Sequence, residues 1–84
     1  MVEFEVVWSP GALRKLEKLE RSVAVRIVQK VGLLRTDPES WLRRLVGSPF
    51  YRLRVGDYRV IVEIVGREMR VLVLDVGPRR TVYD

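Results

Sequence analysis

The chain has 84 residues, with no Cys and no His, and carries a formal charge of +5 at a pI near 10.2. Those absences exclude thiol nucleophiles, imidazole bases, disulfides and nearly all transition-metal sites. A sequence of this length makes one domain, residues 1–84, with one modest core.

Charge is unevenly placed. Residues 1–42 hold seven basic and six acidic side chains, whereas residues 43–84 hold nine basic and five acidic, and all nine are Arg. A basic half on a small domain suggests a polyanion partner; solubility charge is the plain alternative. No apolar run reaches the ~20 residues that span a bilayer. The first residues, MVEFEVVW, lack a basic leader region, so a cytoplasmic, non-membrane protein is expected.

In chain order, Val2, Phe4, Val6 and Trp8 alternate with Glu3, Glu5 and Val7, the pattern of a half-buried strand. Ser9 can cap a helix whose first position is Pro10. Ala12, Leu13, Leu16 and Leu19 then recur at helical spacing. Ser22 offers a second cap, and Val23, Ile27, Val28, Val31 and Leu34 continue the period. The spacing predicts an αα-hairpin joined near Glu20–Ser22; one long bent helix is the alternative. Asp37-Pro38 ends it, with a short turn or helix over 38–42 and a loop at VGSPF.

Three strands follow, at about 50–55, 58–65 and 68–76. Gly56-Asp57 and Gly66-Arg67 read as two-residue hairpin turns. The expected order is β-α-α-β-β-β, an α+β fold with an antiparallel sheet packed on a helical hairpin. With two-residue turns, Arg54 falls opposite Arg59, Val65 opposite Glu68, Glu63 opposite Arg70 and Arg59 opposite Leu74. Alternation puts Arg52, Arg54 and Arg59 on one face. Tyr51, Leu53, Val55, Tyr58, Val60, Val62 and Ile64 share the other, against the helices.

Like charges opposite each other on a ladder are unfavourable. Arg79 and Arg80 follow the third strand and are expected beside Arg54 and Arg59. Guanidinium forks suit phosphate oxygens, so the corner reads as an anion site for a phosphodiester backbone. In the plain alternative, Arg54 pairs with Asp57 or Asp75 and Arg79 is a solvated tail. Tyr58, Trp8 and Trp41 read as packing residues.

YRLRVGDYRVIVEI followed by VLVLDVGPRRTVY resembles the RelE/ParE toxin superfamily, and WLRRLVGSPFYRL resembles that family's approach to the same strands. The resemblance covers nearly the whole chain. It implies a RelE-like fold, similar to small microbial ribonucleases. It also implies a toxin acting as a ribosome-dependent, metal-independent endoribonuclease that needs no cofactor. Such an enzyme cuts mRNA in the ribosomal A site, leaving a 2′,3′-cyclic phosphate and a 5′-hydroxyl, and so inhibits translation. The implied partners are mRNA, the ribosome and an acidic, RelB-like antitoxin, in a toxin–antitoxin heterotetramer.

The resemblance places the catalytic set at Arg52, Arg54, Arg59, Arg79 and Tyr83, with Arg43, Arg44 and Arg80 binding RNA. Arg59 would stabilise the phosphorane, Arg79 would assist the leaving group and Tyr83 would stack on or orient a base. Two departures stand out. Residue 78 is Pro where members often have His or Lys, and Arg52 and Arg54 stand where Lys is often found. Arg is a poor base, consistent with slow catalysis. The candidate bases are Tyr83, taken first, Tyr51, Tyr58 and a few carboxylates. The alternative is that the arginines act by electrostatics and by positioning the 2′-hydroxyl. A ParE-like gyrase poison without nuclease activity, and a degenerate relative that only binds RNA or antitoxin, are the alternative functions.

Overall fold

A computed structural model gives the fold and describes residues 3–78. The strands are β1 (Glu5–Trp8), β2 (Leu42–Arg44), β3 (Tyr51–Val55), β4 (Tyr58–Val65) and β5 (Arg70–Pro78). The helices are α1 (Pro10–Glu17), α2 (Arg21–Gly32) and a single turn, α3 (Pro38–Trp41). One sheet holds the strands in the order β1-β5-β4-β3-β2. The α+β class is therefore as expected. Two features differ: β2 is an additional strand, and β1 pairs parallel to β5, so the sheet is mixed rather than wholly antiparallel.

The start of α1 follows the local chemistry. Ser9 Oγ accepts the Ala12 N–H at 3.1 Å, and Pro10, which has no N–H to satisfy, takes the first turn. The break before α2 falls where expected, but Ser22 is not the cap. Helix α2 begins at Arg21 behind Glu20, whose side chain makes no capping bond. A 3₁₀ turn, Leu33–Arg35, extends α2 and buries Leu34.

The core lies between the helices and one face of the sheet. Ala12, Leu16, Ile27, Val31 and Leu34 meet Leu42, Leu53, Val55, Val60, Val62, Val71, Val73 and Val76. Tyr51, Tyr58, Trp8 and Ile64 pack at its margin, the packing role their parity implies. Leu13 belongs to the helical stripe of the sequence yet is 43% exposed.

The β3–β4 hairpin keeps its expected register, with Val55 opposite Tyr58 and Arg54 opposite Arg59. Gly56 takes φ +58° at the first loop position, a left-handed conformation that glycine adopts without a Cβ clash.

The β4–β5 hairpin does not keep the register expected of it. Its connection runs through a 3₁₀ turn, Gly66–Glu68, and closes on Met69 in the left-handed conformation (φ 52°, ψ 48°). Val65 therefore faces Arg70, and Glu63 faces Leu72. A bulge follows: Val62 pairs with Val73 but Ile61 with Asp75, which leaves Leu74 unmatched. The longer turn and the bulge together bring Gly77, rather than Leu74, opposite Arg59. The expected Glu63–Arg70 ion pair does not form. Arg70 instead meets Glu5 at 3.1 Å and Glu68 at 3.4 Å.

Candidate functional site: an arginine face and its edge pocket

The face of the sheet turned away from the main core carries the arginines. Pairing aligns Arg43 with Arg52, Arg52 with Ile61, and Ile61 with Asp75, a row across four strands. The adjacent row, two residues along each strand, is Arg54, Arg59 and Gly77. Four guanidinium-bearing residues thus cluster at one end of this face, and Arg70, opposite Val65, lies on the same face at the far end of β4. Arg43 and Arg54 are exposed, Arg52 is half-buried, and Arg59 is only 8% exposed.

Among the described residues, Arg43, Arg52 and Arg54 make no side-chain hydrogen bond or ion pair. The plain alternative, Arg54 paired with Asp57 or Asp75, is not what the structure contains. The Asp75 carboxylate is held by Lys15 at 2.6 Å and by the Val76 N–H at 2.9 Å. Arg44 stands apart from the other arginines. It faces Tyr51, on the core side of the sheet, with its guanidinium 5.8 Å from the Tyr51 ring centroid and its Nε 3.4 Å from the Ser48 carbonyl. Arg79, Arg80 and Tyr83 lie outside the described residues. Strand β5 ends at Pro78, one residue past the Gly77 that faces Arg59.

Strand β2 makes the arginine face wider than the hairpin alone. Its three residues, Leu42–Arg44, show no alternation long enough to read as a strand. The edge at β5 was equally hidden in the sequence. Strand β1 stops pairing at Trp8, opposite Val73, and α1 takes over the flank of β5 from there. Ser9 N–H donates to the Val73 carbonyl at 2.9 Å, and Ser9 Oγ to the Leu74 carbonyl at 3.3 Å. Helix α1 thereby gives Ala12 and Leu16 to the core, while Gly11 and Lys15 line a pocket with Phe50, Ile61, Leu74 and Asp75. The pocket measures about 280 Å³. Its floor residue, Ile61, is the residue opposite Arg52.

Two further observations bound the chemistry. Among the described residues, no group of His, Cys, Asp and Glu is arranged to hold a metal ion. Among the described residues, no helix is long and apolar enough to cross a membrane.

Solved structures that share this mixed α+β fold include those of RelE toxins and their complexes. The RelBE2 toxin–antitoxin complex from Mycobacterium tuberculosis matches with a TM-score of 0.82 and 27% identity, over 94% of this chain and 94% of that one. The intact RelBE complex of E. coli matches with a TM-score of 0.77 and 25% identity, over 89% of this chain and 95% of that one. The archaeal RelE–RelB complex from Pyrococcus horikoshii shares the fold, with a TM-score of 0.79 at 24% identity, over 94% of this chain and 98% of that one. No curated protein sequence matches the chain. Residues 6–83 match the family described as the ParE toxin of the type II toxin–antitoxin system parDE. The chain belongs to that family, within the RelE/ParE superfamily of type II toxins.

Proposed function

We propose that this toxin is a ribosome-dependent, metal-independent endoribonuclease that cuts mRNA in the A site and stops translation in the cytoplasm. The observation that carries the reading is the row structure of the outer face. Arg52, Arg54 and Arg59 sit on adjacent strands with no acidic residue of β3 or β4 between them. Guanidinium forks gathered on one patch of a sheet suit the oxygens of a bound phosphodiester.

In this reading the 2′-hydroxyl attacks the adjacent phosphorus and the 5′-oxygen leaves with a proton. The products are a 2′,3′-cyclic phosphate and a 5′-hydroxyl. Arg59, almost wholly enclosed, stabilises the charge that develops on the phosphorane oxygens. Arg52 and Arg54 hold the flanking phosphate and keep the 2′-oxygen in line. Arg43 extends the track at the β2 edge. Arg44 stacks on Tyr51 and reaches RNA only from the sheet margin. Arg79 offsets the charge on the leaving 5′-oxygen, which takes its proton from water, Tyr83 takes the 2′-hydroxyl proton, and Arg80 adds to the phosphate track. An acidic RelB-like antitoxin covers this face and forms a toxin–antitoxin heterotetramer. RelB partners in the solved complexes of the neighbours support that assignment.

The test is end-mapping by primer extension on a message carried by programmed ribosomes and, separately, on naked RNA. Cuts confined to the A-site codon are expected, and Arg59→Ala with Arg79→Ala abolishes them. A second reading, poisoning of DNA gyrase, is favoured by the family's description as a ParE toxin. Gyrase-dependent DNA breaks with intact messages would establish it in place of the first.

A further inference from the structure

The pocket at the β5 edge is built from unlike parts. Phe50, Ile61 and Leu74 give it apolar walls, and Lys15 and Asp75 place an ammonium and a carboxylate at its border. Ile61 is 1% exposed and forms a small apolar cluster with Leu45, Phe50 and Leu74, separate from the main core. The bulge at Leu74 supplies this arrangement, since it turns Asp75 onto the row of Ile61 and Arg52. Both bonds to Asp75 use Oδ1, from Lys15 and from the Val76 N–H. Oδ2 accepts no hydrogen bond among the described residues.

The pocket is also placed beside the phosphate site. Ile61 is cross-strand partner to Arg52 and two residues from Arg59 on the same face of β4, a spacing of about 7 Å along the strand. A strand of RNA held by those arginines has its bases within reach of the pocket. Its volume of about 280 Å³ lies just under the ~300–1,000 Å³ typical of small-ligand sites, the right scale for one flat ring system.

We propose that this pocket is a nucleobase subsite, in which one unstacked base of the RNA lies against Phe50, Ile61 and Leu74. Its polar edge donates to Asp75 Oδ2 and accepts from Lys15. Aromatic and apolar walls with a few polar groups at the rim are how proteins hold splayed RNA bases. Cytosine and adenine offer an exocyclic amine to the carboxylate, guanine an amine and N1–H, and uracil its N3–H, each with an acceptor nearby for Lys15. The subsite therefore takes a base of any of the four kinds and fixes its position beside the arginines. The inference rests on the RNA reading of the arginine face.

The test uses the folded chain and nucleoside 5′-monophosphates as probes, with ribose 5-phosphate as the baseless control. Methyl NMR signals of Ile61 and Leu74 are followed. Cytidine, adenosine, guanosine and uridine monophosphates are expected to shift them, and ribose 5-phosphate to leave them unmoved. Gly11→Leu adds an apolar side chain at the pocket border, where a Cβ meets no atom within 4 Å and the backbone is helical. It is expected to weaken nucleotide binding roughly tenfold, within what one base-on-aromatic contact contributes. Phe50→Ala gives a second, independent loss. Equal shifts with ribose 5-phosphate, or full nucleotide binding by Gly11→Leu, overturn the subsite. If ribose 5-phosphate perturbs only the arginines and the bases add nothing, the subsite falls while the phosphate site stands. If no probe binds, the subsite also falls, and A-site cleavage by the same preparation decides the RNA reading separately.

Discussion

Arg54 and Arg59 face each other directly across β3 and β4, one exposed and the other almost wholly enclosed. Like charges in this position destabilise a sheet by a few tenths to about 1 kcal/mol. Arg54→Glu turns the repulsion into an attraction. The substitution is expected to raise stability by roughly 0.5–1 kcal/mol, read as a higher urea midpoint with unchanged slope. The same variant is expected to lose A-site cleavage. A gain in stability with a loss of function is the signature of a site kept strained for its ligand. A variant that is both more stable and fully active would mean that the arginine pair has no role in the reaction.

The phosphate reading makes a separate prediction about salt. Binding of a single-stranded polyanion weakens linearly in log[salt], by about 0.7 per phosphate neutralised. Arg52→Gln and Arg43→Gln, on one row of the same face, are each expected to lower that slope by roughly 0.7. Arg70→Gln, whose side chain is already engaged by Glu5 and Glu68, is expected to leave it unchanged. Fluorescence anisotropy of a labelled oligoribonucleotide across a salt series measures all three.

Met69 is the described non-glycine residue with positive φ, 52°. An L-residue with a Cβ is strained there by about 1 kcal/mol, a cost that Gly avoids. Met69→Gly is therefore expected to stabilise the β4–β5 turn by up to ~1 kcal/mol, which for a domain of this size raises Tm by about 4–8 °C. A fall in Tm would show that the half-buried Met69 side chain contributes more by packing than its backbone costs.

The same turn marks where the sequence stopped being legible. The β3–β4 register could be read because Gly56-Asp57 is a two-residue loop and the flanking residues alternate cleanly. Gly66-Arg67 gave a similar local signal, yet the turn needs four residues, Gly66 to Met69. The bulge at Leu74 then added one more step, and no local residue type announces it. Each face of β4 is legible nonetheless, because parity survives any error in a partner strand. The alternation brings Arg52, Arg54 and Arg59 onto one face for that reason. Arg43 could be joined to them only once β2 was seen to pair with β3. The Lys15–Asp75 contact spans 60 residues of chain and depends on α1 replacing β1 at the edge of β5. Nothing in the periodicity of either segment encodes it.

Leu53 links the core to the arginine face. It is fully buried between Leu42 and Val60 on neighbouring strands, and its own chain neighbours are Arg52 and Arg54. Leu53→Ala removes apolar contacts that the surrounding strands cannot close over, at a cost of about 2–5 kcal/mol. That is a large part of the stability of a small domain. The variant is expected to unfold near physiological temperature and to be recovered in folded form only with a bound partner. Circular dichroism melts with and without a co-expressed antitoxin test this. A well-folded free Leu53→Ala protein would mean the core relaxes far more than its packing implies.

Ser9 joins the edge of the sheet to α1 through two bonds of one hydroxyl. It accepts from the Ala12 N–H at the helix start and donates to the Leu74 carbonyl at the bulge. Loss of a helix cap of this kind costs about 1 kcal/mol. Ser9→Ala also frees the segment that carries Gly11 and Lys15 along one side of the pocket. Two effects are therefore expected together: a Tm lowered by about 4–8 °C and faster amide hydrogen exchange confined to the first turn of α1 and residues 74–76. Ser9→Thr, which keeps the hydroxyl, is expected to restore both. Exchange that rises evenly over the whole sheet would indicate a general loss of stability and would remove Ser9 as the specific fastener of this edge.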